Sequence, residues 1–202
     1  MIQNKIDYIN YLERDRIALE IYNVTILNKL KNFLFPNPIW KFQRLMRKLE
    51  YNFNCKNKGI NKLYINYLKY KYRKLSIKLN FSIPINVFGP GLSIVHYGTI
   101  IINYTTRIGA NCRMHACVNI GASGGEIQGP ILGNNVYIAP GAKIFGNIKI
   151  PNNTAIGANA VVNKSFEEEN TIIAGIPAKV LGSVDITKLI RHELFREKNL
   201  EK

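Results

Sequence analysis

The sequence predicts an α+β protein: an N-terminal helical domain over residues 1–80, a parallel β-helix of hexapeptide repeats over 81–182, and a short C-terminal helical tail over 183–202. Three observations carry this. A branched aliphatic recurs every six residues at Leu132, Ile138, Ile144, Ile150, Ile156 and Val162. Ile, Leu and Val make up 56 of the 202 residues, so six such hits in one fixed phase arise by chance about once in two thousand trials. Residues 1–80 carry apolar positions at helical spacing and hold 17 Lys/Arg against 5 Asp/Glu. From Phe81 onward β-branched residues and Gly/Pro turns take over.

The first helical run has Ile6, Ile9, Leu12, Ile17, Leu19 and Ile21 among charged residues, and Pro36 and Pro38 break it. Phe42, Leu45, Met46 and Leu49 then follow i, i+3, i+4, i+7, the pattern of an amphipathic helix. After a loop over residues 54–59, a third helix runs from Leu63 to Leu79. Leu63, Tyr67, Tyr70 and Lys74 share one line of it, and Leu68, Tyr72, Leu75 and Leu79 lie near. The expected arrangement is an aromatic packing face and a Lys-rich outer face.

Six-residue spacing matches neither period 2 nor period 3.6. It matches a triangular coil in which each side gives one anchor to a shared interior and three hexads complete a turn. Small residues suit the inward corners, and Gly and Asn tolerate the positive φ that tight turns demand. The phase runs backwards through Ile120, Met114, Ile108 and Ile102, so the coil spans about residues 83–165. Position 126 in this frame is Glu126, inside a Gly- and Ser-rich stretch, so residues 121–130 are expected to leave the coil as an outward loop. Residues 171–181 add a closing strand. In the tail, Ile186, Leu189, Ile190 and Leu194 form the apolar side.

The formal net charge of +15 is concentrated in the helical part. Such a surface admits nucleic acid or anionic lipid, but solvated Lys on helices is the commoner cause, and no nucleic-acid partner is expected. No apolar run approaches the ~20 residues of a membrane span. The start lacks a signal peptide's apolar stretch, so a cytoplasmic location is expected. Cys55, Cys112 and Cys117 are too few and irregular for a disulfide scaffold or a zinc knuckle, and no metal is expected. Cys112 falls on a small inward site.

The frame singles out His96, which stands in phase with Ile102 although imidazole is a poor inward anchor. It should break the coil locally and face outward. His115 follows 19 residues later, one coil of three hexads plus one residue. The two rings should lie on neighbouring coils at one edge, near the start of the 121–130 loop. Paired imidazoles there make a candidate general-base site, because imidazole titrates near physiological pH.

Ile156-Gly-Ala-Asn-Ala-Val-Val-Asn-Lys and Ala174-Gly-Ile-Pro-Ala-Lys-Val resemble the acyl-CoA-binding end of the left-handed β-helix acyltransferases. His96-Tyr-Gly-Thr-Ile-Ile-Ile-Asn and the stretch from Ile108 to Gly121 resemble the serine acetyltransferase branch, and Glu13-Arg-Asp-Arg-Ile-Ala is similar to a helical segment of those enzymes. The resemblance implies a left-handed coil and acetyl transfer from acetyl-CoA, as co-substrate, to an acceptor hydroxyl, that of L-serine. His96 matches the catalytic base, and His115 is its neighbouring candidate. Asp15 matches an Asp that helps hold the amino acid. Ala139, Gly141, Ala158, Lys164 and Lys179 match the pantetheine and phosphate wall. A homotrimer, with possible pairing of trimers through the helices, is implied as well.

The chain departs from that branch on the acceptor side. Val95 stands where an Asp commonly precedes the catalytic His, and Gly129 stands beside Pro130 where a second His is usual. Glu126 or Gln128 can take part of that role. A sugar hydroxyl, as in capsule or lipopolysaccharide precursors, is therefore the alternative acceptor. A non-catalytic scaffold docking through its basic helices is the alternative of another class.

Overall fold

The computed structural model describes residues 1–21, 34–35 and 37–194. Pro36 and the end of the expected tail, residues 195–202, lie outside them. Among the described residues, three α-helices precede the coil. Helix α1, Lys5–Ala18, starts where the Asn4 side chain accepts from the Asp7 amide at 2.8 Å. Helix α2, Pro38–Cys55, has Pro38 in its first turn and Asn37 as its cap, accepting from the Ile39 and Trp40 amides. Helix α3, Asn61–Leu79, ends at Asn80 in the left-handed region, φ 59°. None of these described helices is long and apolar enough to cross a membrane.

The faces these helices bury differ in part from the apolar patterns. In α2 the pattern holds: Ile39, Phe42 and Met46 share one core with Phe81, Leu92 and Ile94 of the first coil. In α3 the buried line is Ile65, Leu68 and Leu79, with Tyr72 and Leu75 against it. Leu63, Tyr67 and Tyr70, the expected packing line, face solvent at 72, 53 and 59 % exposure. In α1, Ile6 and Ile9 are exposed, while Tyr11, Asp15 and Ala18 are buried. This helix is rotated by the need to bury Asp15.

The coil has three faces of stacked short strands. The first carries β1 (Phe81–Ser82), β3 (Ile100–Ile102), β6 (Asn119–Gly121), β9 (Lys143–Phe145) and β12 (Val161–Val162). The second carries β4 (Arg107–Ile108), β7 (Ile131–Leu132) and β10 (Lys149–Ile150). The third carries β2 (Ser93–Ile94), β5 (Arg113–Met114), β8 (Tyr137–Ile138), β11 (Ala155–Ile156) and β13 (Thr171–Gly175), with β14 (Ala178–Ser183) antiparallel to β13. All other pairings are parallel.

The anchors are all inside: Ile120, Ile138, Ile144, Ile156 and Val162 are 0 % exposed. Fully burying such a side chain contributes about 1.5–3 kcal/mol, which is why stacking, not local propensity, holds these two- and three-residue strands. The small inward sites are filled by Cys112, Val136, Ala142, Thr154 and Ala160. Burial alone pushes the Cys112 thiol up to about 12, so it packs as an apolar group.

Register explains the sequence phase. Ile102 pairs with Ile120, Leu132 with Ile150 and Ile138 with Ile156, each 18 residues on. Ile108 pairs with Leu132 and Met114 with Ile138, each 24 residues on, because residues 122–130 detour outward by the length of one hexad. Ile94 pairs with Met114, 20 residues on. The extra two residues widen the corner at 95–99, and His96 stands on it, exposed. At another corner Asn111, Asn135 and Asn153 adopt φ 59, 57 and 54°. Their amides form a ladder, Asn111 donating to Asn135 at 2.7 Å and Asn135 to Asn153 at 2.8 Å.

The first coil has no coil before it, and α2 covers its open backbone edge. Gln43 donates to the Leu92 carbonyl at 2.8 Å and accepts from the Ile94 amide at 3.4 Å. Arg47, 0 % exposed, donates to the Phe88 and Gly89 carbonyls, to both Asp15 oxygens and to Glu50. Those five bonds match its five N–H groups. Asp15 accepts in turn from the Gly91 and Leu92 amides, and Glu50 from the Asn86 amide. Burial opposes the Arg47 charge, but the Asp15 and Glu50 carboxylates outweigh it and hold its pKa above the usual value.

Within the described residues the tail is helical only in short 3-10 turns, Ile186–Lys188 and His192–Leu194, which follow β14. Its apolar side is nonetheless used: Ile186, Ile190 and Leu194 pack against Ala18 and Ala155. Fixing them against α1 and β11 sets the path residue by residue.

Removing the guanidinium leaves two carboxylates buried without a counter-charge. Arg47→Ala is expected to lose about 3–5 kcal/mol of stability in urea denaturation, well beyond the roughly 0–1 kcal/mol of a solvent-exposed ion pair.

Candidate active-site edge

Where the chain passes from the third face to the first, successive turns stack into one edge. The Gly141 amide donates to the Ala116 carbonyl at 3.1 Å, and the Asn159 amide to the Pro140 carbonyl at 2.9 Å. A Cβ on Gly98 would stand 3.3 Å from the Ala116 Cβ, and one on Gly141 would overlap the Asn159 amide. Gly141 has φ 78°, and its equivalents Cys117 and Asn159 are also left-handed, at φ 63° and 53°. The edge is therefore narrow, regular and lined by small residues.

His96 and His115 stand at its head, ring centroids 5.9 Å apart on neighbouring coils. His115 also meets the Tyr137 ring edge-on at 5.3 Å. Its Nε2 is shielded from solvent and has no hydrogen-bond partner. Burial, then the Arg113 charge, then His96 lower the His115 pKa, favouring the neutral ring. A neutral imidazole with an unengaged nitrogen can accept or donate one hydrogen bond to a third group.

Ala139, Gly141 and Ala158 lie further along the same edge, on the coils below the two histidines. Lys179, exposed, lies on β14 opposite Ala174, next to the turn that closes this edge.

Three expected residues are elsewhere. Residues 122–130 bridge the first and second faces, so the loop leaves from the next edge and not from the histidine edge. It lies on the turn above it, with Thr105 donating to the Ile127 carbonyl at 2.9 Å and Gln128 to the Thr105 carbonyl at 3.4 Å. Glu126 is exposed and accepts from the Asn147 amide. The expectation that both histidines neighbour this loop is corrected: each edge recurs only at every third hexad, and the loop starts one face later. Lys164 follows β12 on that second edge, its Nζ over the Phe166 ring.

Asp15 is corrected too. It is 0 % exposed, with both oxygens engaged by Arg47 and the Gly91 and Leu92 amides, so it has no surface through which to hold a substrate. Through those amides it fixes the strand leading into the His96 corner. Gln43 does the same from α2. The sequence signal for this was the i, i+4, i+7 row Gln43, Arg47, Glu50, which runs beside the apolar stripe.

A hollow of about 560 Å³ opens beside His96. Leu34, Phe35, Pro38 and Ile39 form one wall, and Val95 and Tyr97 the other. Among the described residues that line it, none is charged.

No family model matches the chain. A serine acetyltransferase of Staphylococcus aureus is 41 % identical over 95 residues, which is 46 % of this chain and 44 % of that protein. The match thus spans under half the length of the relative. A serine O-acetyltransferase from Brucella melitensis superposes over 89 % of this chain and 71 % of its own, with TM-score 0.68 and 21 % identity. A Brucella abortus serine acetyltransferase in complex with coenzyme A covers 89 % and 70 %, with TM-score 0.66 and 23 % identity. Helices followed by a left-handed β-helix of hexapeptide repeats is therefore the class of fold. Within that class the chain resembles the serine acetyltransferases.

The lowered His115 pKa has a measurable consequence. The unfolded ring binds a proton at higher pH than the folded one, so stability contributed here is complete above the unperturbed imidazole pKa and is lost as pH falls through it. The fall in thermal midpoint between about pH 7 and pH 5 is expected to be smaller in His115→Gln than in the parent chain.

Proposed function

We propose that this chain is an acetyl-CoA-dependent O-acetyltransferase of the serine acetyltransferase type, acting in the cytoplasm. The observation that carries the reading is the edge itself: two imidazoles 5.9 Å apart at the head of a track of small residues. Acetyl-CoA supplies an acyl thioester. His96, exposed on its widened corner, acts as general base: it takes the proton of the acceptor hydroxyl as that oxygen attacks the thioester carbonyl, and the proton passes to the coenzyme A sulfur as the C–S bond breaks. His115, its pKa lowered by burial, Arg113 and His96, offers its Nε2 to the acceptor or to the His96 ring. Ala139, Gly141 and Ala158 leave room for a slender pantetheine arm, and Lys164 and Lys179 face the phosphates.

The division of groups between two edges supports a homotrimer. Glu126, Gln128 and Lys164 lie on the loop edge, and His96, His115, Ala139, Gly141 and Ala158 on the histidine edge. Parallel coils around a three-fold axis bring one copy's loop edge to its neighbour's histidine edge, so each site is built from two copies. Pairing of trimers through the helices is a further step of the same reading.

L-serine is the acceptor that the resemblance favours. One observation favours a second acceptor: the hollow beside His96 has no charged side chain among its described lining residues to meet an amino acid's carboxylate and ammonium. A sugar hydroxyl, neutral and able to stack on Tyr97 or Phe35, suits that wall.

Release of free thiol from acetyl-CoA in the presence of L-serine, and separately of sugars and nucleotide sugars, tests the proposal. Turnover is expected with one of these, and His96→Ala is expected to lower kcat by about 10²–10⁴-fold with little change in the KM for acetyl-CoA. Full activity in that variant would remove His96 as the base. No turnover with any acceptor, together with no acetyl-CoA binding in calorimetry, would sink the enzyme reading.

A further inference from the structure

The outward line of α3 is absorbed by neither the fold nor the edge. Ile60, Leu63, Tyr67, Tyr70, Lys74 and Ile77 follow one another at steps of three and four residues, on the side opposite the buried Ile65–Leu68–Leu79 line. Ile60, Leu63 and Ile77 are 83, 72 and 68 % exposed. The stripe is about 26 Å long at 1.5 Å per residue. An apolar stripe of this kind on a helix normally lies against something.

Charge selects the occupant. Lys62, Lys69, Lys71, Arg73, Lys74 and Lys78 are all exposed along α3, and residues 51–80 contain no Asp or Glu. Among the described residues none of these six cations is in an ion pair. Lys71 lies over the Tyr67 ring and Lys74 over the Tyr70 ring, each at 5.3 Å, so ammonium groups and aromatic rings alternate along the stripe. A second copy of this face would set cation against cation with no carboxylate between them. A nucleic acid would meet the cations and rings but leave Ile60, Leu63 and Ile77 without a partner. A bilayer surface carrying anionic lipid satisfies all three groups. The aliphatic tips reach below the headgroups, the Tyr rings sit at headgroup depth, and the Lys side chains extend to the phosphates.

We propose that α3 docks lengthwise on the surface of an anionic lipid bilayer. The helix is tied directly to the histidine corner, since the Gly98 amide donates to the Leu79 carbonyl at 3.1 Å and the Ile100 amide to the Asn80 carbonyl at 3.1 Å. Docking therefore holds the head of the candidate edge close to the bilayer, where an acceptor carried on lipid would be presented.

Flotation of the full chain with vesicles of phosphatidylcholine alone, and with about 30 % phosphatidylglycerol, tests this without any acetyl donor or acceptor. Binding is expected only to the anionic vesicles and is expected to weaken with added salt. Lys71→Glu/Lys74→Glu and, separately, Leu63→Asn/Ile77→Asn should each weaken it about tenfold or more, with unchanged circular dichroism. The two double variants test the charge and apolar arms independently, so misfolding of one leaves the other decisive. Equal binding to both vesicle types, or anionic binding untouched by both variants, would overturn the proposal. So would binding to duplex DNA that vesicles cannot displace, or self-association that Leu63→Asn/Ile77→Asn abolishes. Failure here leaves acetyl transfer standing, and failure of acetyl transfer leaves vesicle binding standing.

Discussion

A β-helix begins with an open backbone edge. Each coil takes its hydrogen bonds from the coil before it, and the first coil has none. In this chain the row Gln43, Arg47 and Glu50 on one side of α2, with Asp15 from α1, stands in for the missing coil. The Gln43 side-chain amide behaves as a strand's peptide group, donating to Leu92 and accepting from Ile94. Arg47 fills the carbonyls of Phe88 and Gly89, and the two carboxylates take the amides of Asn86, Gly91 and Leu92. The cluster tolerates burial because each charge is paired and hydrogen-bonded at once. The helical layer is thereby keyed to one position on the coil, and with it the wall of Pro38 and Ile39 beside His96.

The coil was legible because its periodicity is local. Anchors at Leu132 through Val162 repeat without interruption, and the outward loop adds one hexad's length, so the phase persists upstream. His96 was legible for the same reason: a side chain unsuited to an anchor site marks the corner where two residues are inserted. The edge on which the loop leaves is countable too, since Met114 and Ile120 are one hexad and therefore one face apart. Asp15 was misplaced because its burial depends on α1 meeting a turn 76 residues away. In α3 two apolar lines run on opposite sides, and only packing against Leu49 and the first coil decides which is inside.

These points bear on function together. In the proposed reading the donor side of the site, small residues at the turns of one edge, follows from the coil and is written in its repeat. The acceptor side, in the same reading, is assembled from parts the repeat does not specify: the widened His96 corner, His115 against the Tyr137 ring, and the apolar wall of Leu34, Phe35, Pro38 and Ile39. At that corner Val95 departs from the pattern the sequence resembles, and Gly129 departs from it on the loop edge. In the proposed reading, that departure and the absence of charge among the described residues of the hollow favour an acceptor recognised by shape and hydroxyl chemistry.

The central claim is that one edge of the coil binds the acyl donor and delivers it to the paired histidines. A structure of the protein crystallised with coenzyme A tests that most directly. The account predicts the pantetheine arm along the turns at Ala116, Ala139–Gly141 and Ala158, with its thiol end toward His96 and His115. Coenzyme A bound along the second edge alone, or away from the coil, would contradict it.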